Sequence, residues 1–138
     1  MKQYFLAFLA LPLLTGASGG SIDVAVGNIR SAQGKIHVDI CTRETFLKAC
    51  PFAGEAPAHM GTTIVTIHNV PPGVYAAQAT HDANSNNKVD MALFGIPKEG
   101  VGFSNYTIGM STPKFEETAF RHEGGDQKIS VGLKYFFR

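Results

Sequence analysis

The sequence predicts an all-β protein, a single β-sandwich with short helical turns and one long loop. Apolar and polar residues alternate with period two over most of the chain, and turn-forming residues separate these stretches. Helical periodicity is confined to two short segments. Alternation of this kind is typical of strands that bury one face. Short strands and turns at this spacing favour an immunoglobulin-like or transthyretin-like sandwich.

The alternating apolar positions predict three strands: Ile22, Val24 and Val26, then Ile36, Val38 and Ile40, and finally Ile129, Val131, Leu133 and Tyr135. Residues 62–68 and 74–81 predict two more. They are joined by a turn at 69–73, whose prolines cannot donate to a ladder. We expect the core to contain Val24, Val38, Ile40, Val65, Ile67, Val131 and Leu133.

Helix is a minor component. Residues 43–49 favour one or two turns, and Thr112 followed by Pro113 resembles an N-cap and a first-turn proline that open a short helix at 115–120.

A long loop is predicted between residues 91 and 111, where glycine and proline interrupt regular structure at Gly95, Pro97, Gly100 and Gly102. A connection of this length is functional or is anchored by something.

Residues 1–19 predict an export signal, followed by one domain over 20–138. Lys2 gives a positive start, 4–14 an apolar core, and 15–19 small residues suited to a signal peptidase. A membrane anchor needs about 20 apolar residues, more than this run offers. We therefore expect a periplasmic or secreted protein with no stable membrane anchor after cleavage.

The net charge is +1, and the chain has no basic run. Neither nucleic acid nor an anionic membrane is indicated as a partner. The long loop at 91–111, shaped by calcium and the disulfide, is instead expected to contact an envelope protein or a glycan, because the chain has many loop residues and no catalytic set.

The two cysteines, Cys41 and Cys50, are most simply a disulfide in an exported chain. The alternative is a redox or metal pair. Eight intervening residues fit no Cys-x-x-Cys motif, so the disulfide is favoured.

The most specific chemical signal is the Asp/Asn loop, defined as residues 82–90. Oxygen-bearing groups recur there at every second position: Asp82, Asn84, Asn86, the carbonyl of Lys88, and Asp90. These are positions 1, 3, 5, 7 and 9 of a calcium loop. Because Ca²⁺ takes six to eight oxygen ligands, the pattern predicts a calcium site.

Two positions depart from the calcium pattern. Position 6 is Asn87 where glycine is usual, although asparagine tolerates a left-handed backbone. Position 12 is Leu93, which removes the bidentate carboxylate and predicts weak affinity, with Glu99 as an extra ligand. The alternative is a polar turn held by side-chain-to-backbone hydrogen bonds.

No catalytic motif is present, so no catalytic residues are assigned. His81 and Asp82 are adjacent on a predicted strand and point to opposite faces, which disfavours a dyad. His81 is expected to fix the loop by hydrogen bonding. The alternative is a hydrolase-type enzyme that uses His81 and Glu99, with Asn105, near the cation.

Four stretches carry a resemblance to a known family. They are residues 70–76, 81–90, 94–105 and 115–120. In this combination the chain resembles a family of exported bacterial proteins known as domain of unknown function family 2141. The resemblance implies a bacterial envelope or secreted β-sandwich and supplies no catalytic residues. The expected function is a non-enzymatic binding or structural module with a weak calcium loop.

Overall fold

The all-β sandwich is confirmed by the computed structural model, which describes residues 19–89, 97–109 and 111–137. Its elements in chain order are β1 (Gly20–Ile29), β2 (Lys35–Cys41), β3 (Phe52–Pro57), β4 (Gly61–Val70), β5 (Gly73–Asp82), β6 (Val101–Phe103), helix α1 (Phe115–Thr118), β7 (Phe120–His122) and β8 (Gln127–Gly132).

The strands form two sheets. One has three strands in the order β4-β1-β8, with β1 antiparallel to β4 and parallel to β8. The other has five antiparallel strands, ordered β3-β2-β5-β6, with β7 pairing the first part of β5. The sheets meet where Val101 and Lys134 exchange backbone hydrogen bonds of 3.0 and 2.8 Å. Such contact covers sheet edges that would otherwise be open to pairing.

The core lies between the two sheets and is built from the inward positions of the alternating strands. All the expected core residues are at most 4 % exposed, which confirms the prediction: Val24, Val38, Ile40, Val65, Ile67, Val131 and Leu133. The side chains on the opposite face of each strand point away from the core and can be polar. A functional site can therefore form on the outer face of a sheet.

Three strands lie outside the predicted set. β3 consists largely of alanine, glycine and proline, which have low strand propensity. β6 lies inside the predicted long loop, where a Cβ on Gly102 would be 2.3 Å from the carbonyl oxygen of Gly132. Gly102 therefore serves a close approach of two strands. β7 occupies the end of the predicted helix.

The predicted helix was too long. It ends at Thr118, and its N-cap is Lys114, not Thr112. The Glu117 carboxylate accepts a hydrogen bond of 2.9 Å from the Lys114 backbone N–H, which fixes this start. The helical turns predicted over 43–49 are not formed; residues 43–47 make a turn that is not a helix.

The predicted signal, apart from Gly19, lies outside the described residues. Within residues 19–89, 97–109 and 111–137, no helix has the length and hydropathy required to span a bilayer.

Candidate functional site

The Asp/Asn loop follows β5 directly and curls around the carboxylate of Asp82. The Oδ1 atom of Asp82 accepts a hydrogen bond from the Asn86 N–H at 3.1 Å, and Oδ2 accepts one from the Asn87 N–H at 2.8 Å. Asp82 is only 3 % exposed. The carboxylate therefore organises the loop whether or not a cation is bound.

The two asparagine side chains repeat this pattern within the loop. The Oδ1 atom of Asn84 accepts a hydrogen bond from the Asn86 N–H, and that of Asn86 accepts one from the Lys88 N–H, both at 3.2 Å. These are the hydrogen bonds expected of the polar-turn alternative. They also direct the side-chain oxygens of Asp82, Asn84 and Asn86 toward the backbone of the loop.

The departure at position 6 is accommodated as expected. Asn87 has a φ of 64°, and Ser85 has a φ of 53°, both in the left-handed region. Asparagine is one of the residues that adopt this region at low cost. The loop thus makes its sharp turn without glycine.

Of the predicted calcium ligands, Asp82, Asn84, Asn86 and Lys88 lie together in the described part of the loop, while Asp90 lies outside it. No group of three or more His, Cys, Asp or Glu side chains in residues 19–89, 97–109 and 111–137 is arranged to hold a metal ion. Calcium binding would use the amide and carbonyl oxygens of this loop as well as carboxylates.

Beside the loop is a polar cleft of about 300 Å³ on the outer face of the five-stranded sheet. Its floor is the polar face of β2, β3 and β5, with His37, Asp39, Glu55, Gln78 and Thr80 as the floor residues. The strand register sets His37 opposite both Glu55 and Thr80, and Asp39 opposite Gln78. Neighbouring strands therefore bring residues from distant parts of the chain to one surface.

Two loops form the walls of the cleft. Asn87, Lys88 and Val89 of the Asp/Asn loop lie at one end. Leu47 and Lys48 lie at the other end, in the disulfide loop, which we define as residues 41–50.

Both walls are hydrogen-bonded to the sheet. The Lys35 ammonium donates to the side-chain oxygen of Asn87 and, at 3.1 Å, to Glu55. At the other wall, the Leu47 N–H donates to Oε1 of Gln78 at 2.6 Å. Each wall of the cleft is therefore attached to the sheet that forms its floor.

The predicted disulfide is confirmed: Cys41 is bonded to Cys50. It closes the loop at the end of β2, and Cys41 is fully buried. The same bond therefore restrains the wall that carries Leu47 and Lys48.

His37 lies at the centre of the cleft floor between two carboxylates. Its Nε2 is 3.0 Å from Asp39, and its Nδ1 is 2.9 Å from Glu55. The hydrogen bond to Asp39, followed by the one to Glu55, raises the pKa of His37 to about 9, although partial burial acts in the opposite direction. The hydrogen bonds from His37 and Lys35 lower the pKa of Glu55. His37 is therefore a cation at neutral pH, and it faces an ionised Glu55.

This network predicts a pH-dependent stability. Because the pKa of His37 rises from 6.5 to about 9 on folding, its charge stabilises the fold fully below pH 6.5, and this contribution is lost as the pH rises through 9. We expect His37→Gln to cost about 1–2 kcal/mol at pH 6, after allowance for screening of a partly exposed group, and much less at pH 10. Urea unfolding at the two pH values measures the difference.

The exposed His59 provides the matched control for the pH experiment. His59→Gln removes the same ring from a site outside the network and measures what the loss of a histidine side chain alone costs. An unfolding penalty for His37→Gln that is the same at pH 6 and pH 10 would contradict the assignment of a charged His37.

The side chain of His81 has a structural role, but contrary to the prediction it does not hold the Asp/Asn loop, because both of its partners lie outside that loop. Its Nε2 donates to the Gln33 carbonyl oxygen at 2.7 Å, and its Nδ1 is 2.9 Å from the Tyr135 hydroxyl. Both ring nitrogens are therefore occupied. His81 and Glu99 do line one pocket of about 270 Å³. Asn105 is tied elsewhere, because its side-chain amide donates to the Ala119 carbonyl oxygen at 2.9 Å.

The floor residues of the cleft were not predicted from the sequence. The alternation of Lys35, His37 and Asp39 with buried isoleucine and valine signalled a polar strand face. The sequence does not place Glu55 on that face, because the residues of β3 do not predict a strand.

The fold and the site together define a β-sandwich protein with a polar cleft bounded by an Asp/Asn loop and a disulfide loop. Residues 24–130 match the family described as "Uncharacterized protein conserved in bacteria (DUF2141)". The match covers most of the chain, so the protein belongs to this family. No curated protein and no solved structure matches the chain.

Proposed function

We propose that this protein is a non-enzymatic binding module of the bacterial envelope. It binds calcium weakly in the Asp/Asn loop and binds an envelope protein or a glycan through the adjoining cleft. The observation that carries the proposal is the position of the Asp/Asn loop, which forms one wall of a polar cleft of about 300 Å³. A cation that holds the loop would also hold that wall.

The chemistry of the loop supports a calcium ion of low affinity. An ionised carboxylate has about four lone-pair positions, and Asp82 uses one for each of its two backbone N–H partners. Capacity therefore remains for a cation. With few carboxylates in the loop, the Kd should be on the order of 10⁻⁴–10⁻³ M, as in extracellular modules.

Export is supported by two independent features. The first 19 residues have the pattern of a signal peptide. The disulfide between Cys41 and Cys50 suits an oxidising compartment such as the periplasm or the extracellular medium. A weak calcium site is also useful only where calcium reaches millimolar levels.

A calcium-dependent melting temperature tests the first half of the proposal. At calcium ten times the Kd, linkage should stabilise the fold by about 1.4 kcal/mol and raise the Tm by several degrees relative to protein in excess chelator. Magnesium should be a poor substitute, because it requires near-octahedral geometry and retains its waters.

Asp82→Asn is the informative variant, because it removes the charge while keeping one oxygen to accept the loop N–H groups. It should abolish the calcium-dependent shift. Asp126→Asn, at an exposed position outside the loop, changes the net charge equally and should retain the shift. Equal Tm values for the wild type in millimolar calcium and in chelator would mean that the loop is only a polar turn.

The second half of the proposal concerns the binding partner of the cleft. Immobilised wild-type protein should retain a specific envelope protein or glycan from extracts, more strongly in calcium than in chelator. Retention of nothing specific under either condition would count against a binding module.

The alternative proposal is a hydrolase-type enzyme that uses His81 and Glu99. Its supporting observation is that the two residues line one pocket. Against it, the two nitrogens of His81 are already bonded to Gln33 and Tyr135. A hydrolytic activity of the native protein lost in both His81→Ala and Glu99→Ala would favour the enzyme.

A further inference from the structure

We infer that the cleft binds a small anionic ligand, bearing a carboxylate or phosphate group, between Lys48 and Lys88. This inference rests on the proposed binding role of the cleft, but it does not require calcium in the Asp/Asn loop. Three observations support it: the placement of the two lysines, the balance of charge in the cleft, and the polar groups on its floor.

The two lysines lie on opposite walls. The antiparallel register pairs Lys35, at the start of β2, with Asp82, and Cys41, at its end, with Ala76. The Asp/Asn loop therefore lies at one end of β2 and the disulfide loop at the other. Lys88 and Lys48 line the cleft from these two loops.

The carboxylates that line the cleft already have partners. Asp39 is paired with His37, and Glu55 with both His37 and Lys35. Asp82 accepts hydrogen bonds from two backbone N–H groups of its own loop. In the described ranges of the chain, Asp39 and Glu55 are therefore paired with cationic groups of the sheet itself, while Asp82 is held by its own loop.

The two wall lysines differ from these carboxylates in their pairing. Neither Lys48 nor Lys88 forms an ion pair within the described ranges of the chain, and both are exposed. The imidazolium of His37 is paired with Asp39 and Glu55, so it adds no uncompensated charge to the floor. A ligand entering the cleft therefore meets two unpaired ammonium groups, one on each wall, which favours an anion.

The floor offers hydrogen bonds to the rest of such a ligand. The Oε1 atom of Gln78 accepts from Leu47, which leaves the amide nitrogen as the donor end of this side chain. Thr80 adds a hydroxyl group to the same surface. A volume of about 300 Å³ is at the small end for ligand pockets and suits a compound the size of one sugar acid or sugar phosphate.

Titration of the full domain with D-glucuronate, glucose 6-phosphate, inorganic phosphate and glucose tests the inference. The protein is first freed of calcium by a chelating resin, and binding is followed by NMR amide shifts. We expect at least one anion to bind with a Kd on the order of 1 mM and glucose to bind at least tenfold more weakly. The glucuronate and phosphate arms show which anionic group is preferred. Absence of binding by all three anions, or equal binding of glucose, would overturn the inference.

Substitution of the lysines locates the site. Lys48→Gln and Lys88→Gln should each weaken binding of the preferred anion by about three- to tenfold. Lys128→Gln, an exposed position on β8 with the same change in net charge, should leave the Kd within twofold of wild type. An anion Kd unchanged in both cleft variants, or weakened as much by Lys128→Gln, would place the anion elsewhere.

The two proposals fail separately. Lys88→Gln retains the backbone carbonyl that calcium would use, so its calcium-dependent Tm shift should persist even as anion binding weakens. Anion binding without any calcium shift would refute the calcium loop alone. A calcium shift without anion binding would refute the present inference alone.

Discussion

Replacement of Gly34 by alanine is expected to destabilise the domain by about 2–4 kcal/mol and to disturb the base of the Asp/Asn loop. Gly34 has a φ of +70°, and a Cβ there would lie 2.1 Å from the Asp82 carbonyl oxygen and 2.6 Å from the Ala83 backbone. Both atoms belong to the backbone at the start of the loop, so a side chain cannot be accommodated by a rotamer change. Chemical denaturation of Gly34→Ala against wild type measures the effect.

Gly61→Ala separates the cost of the left-handed backbone from the cost of the close contact. Gly61 also has a positive φ, of +92°, but its Cβ would meet nothing within 4 Å. Its substitution should cost only the backbone strain, about 1–2 kcal/mol. If Gly34→Ala cost no more than Gly61→Ala, the close contact between Gly34 and the loop would be disproved.

Removal of the disulfide is the second large effect. In the chain-entropy description, a bridge between residues separated by 9 positions contributes roughly 2.5–3 kcal/mol. We therefore expect the double variant Cys41→Ala/Cys50→Ala to melt about 10 °C below the oxidised wild type. Alanine is the suitable replacement because Cys41 is fully buried, and serine would bury a hydroxyl group there.

Reduced wild-type protein is the matched control, and it should melt close to the double variant. The loss should also loosen the wall that carries Lys48, so anion binding should weaken in the double variant even below its Tm. Identical melting of oxidised and reduced wild type would contradict a stabilising role for the bond.

The main strands could be predicted because each buries one face. Ile36, Val38 and Ile40 alternate with polar residues, and such alternation is a local property of the sequence. β3 and β6 could not be predicted in this way. The residues of β3 have weak strand preference, and β6 is only three residues long, too short to show alternation. Both are extended because a strong neighbour, β2 or β5, supplies the ladder.

The candidate site could likewise be predicted only where it depends on local sequence. The Asp/Asn loop is a local motif, so its residues and the left-handed Asn87 were readable from the sequence. The cleft depends on register between strands distant in the chain, which brings Glu55 and Thr80 beside His37. No periodicity in one segment encodes that pairing, so the floor of the cleft emerged only from the folded chain.

The proposed binding of calcium in the Asp/Asn loop beside the cleft can be followed residue by residue in an NMR titration with calcium. We expect saturable shifts of the amides of Asn84, Asn86 and Lys88, with a Kd on the order of 10⁻⁴–10⁻³ M, and smaller changes at the cleft floor. Asp82→Asn should lose them, and Asp126→Asn should keep them. Amide signals of the loop that stay unchanged in wild type up to about 10 mM calcium would show that calcium does not bind there.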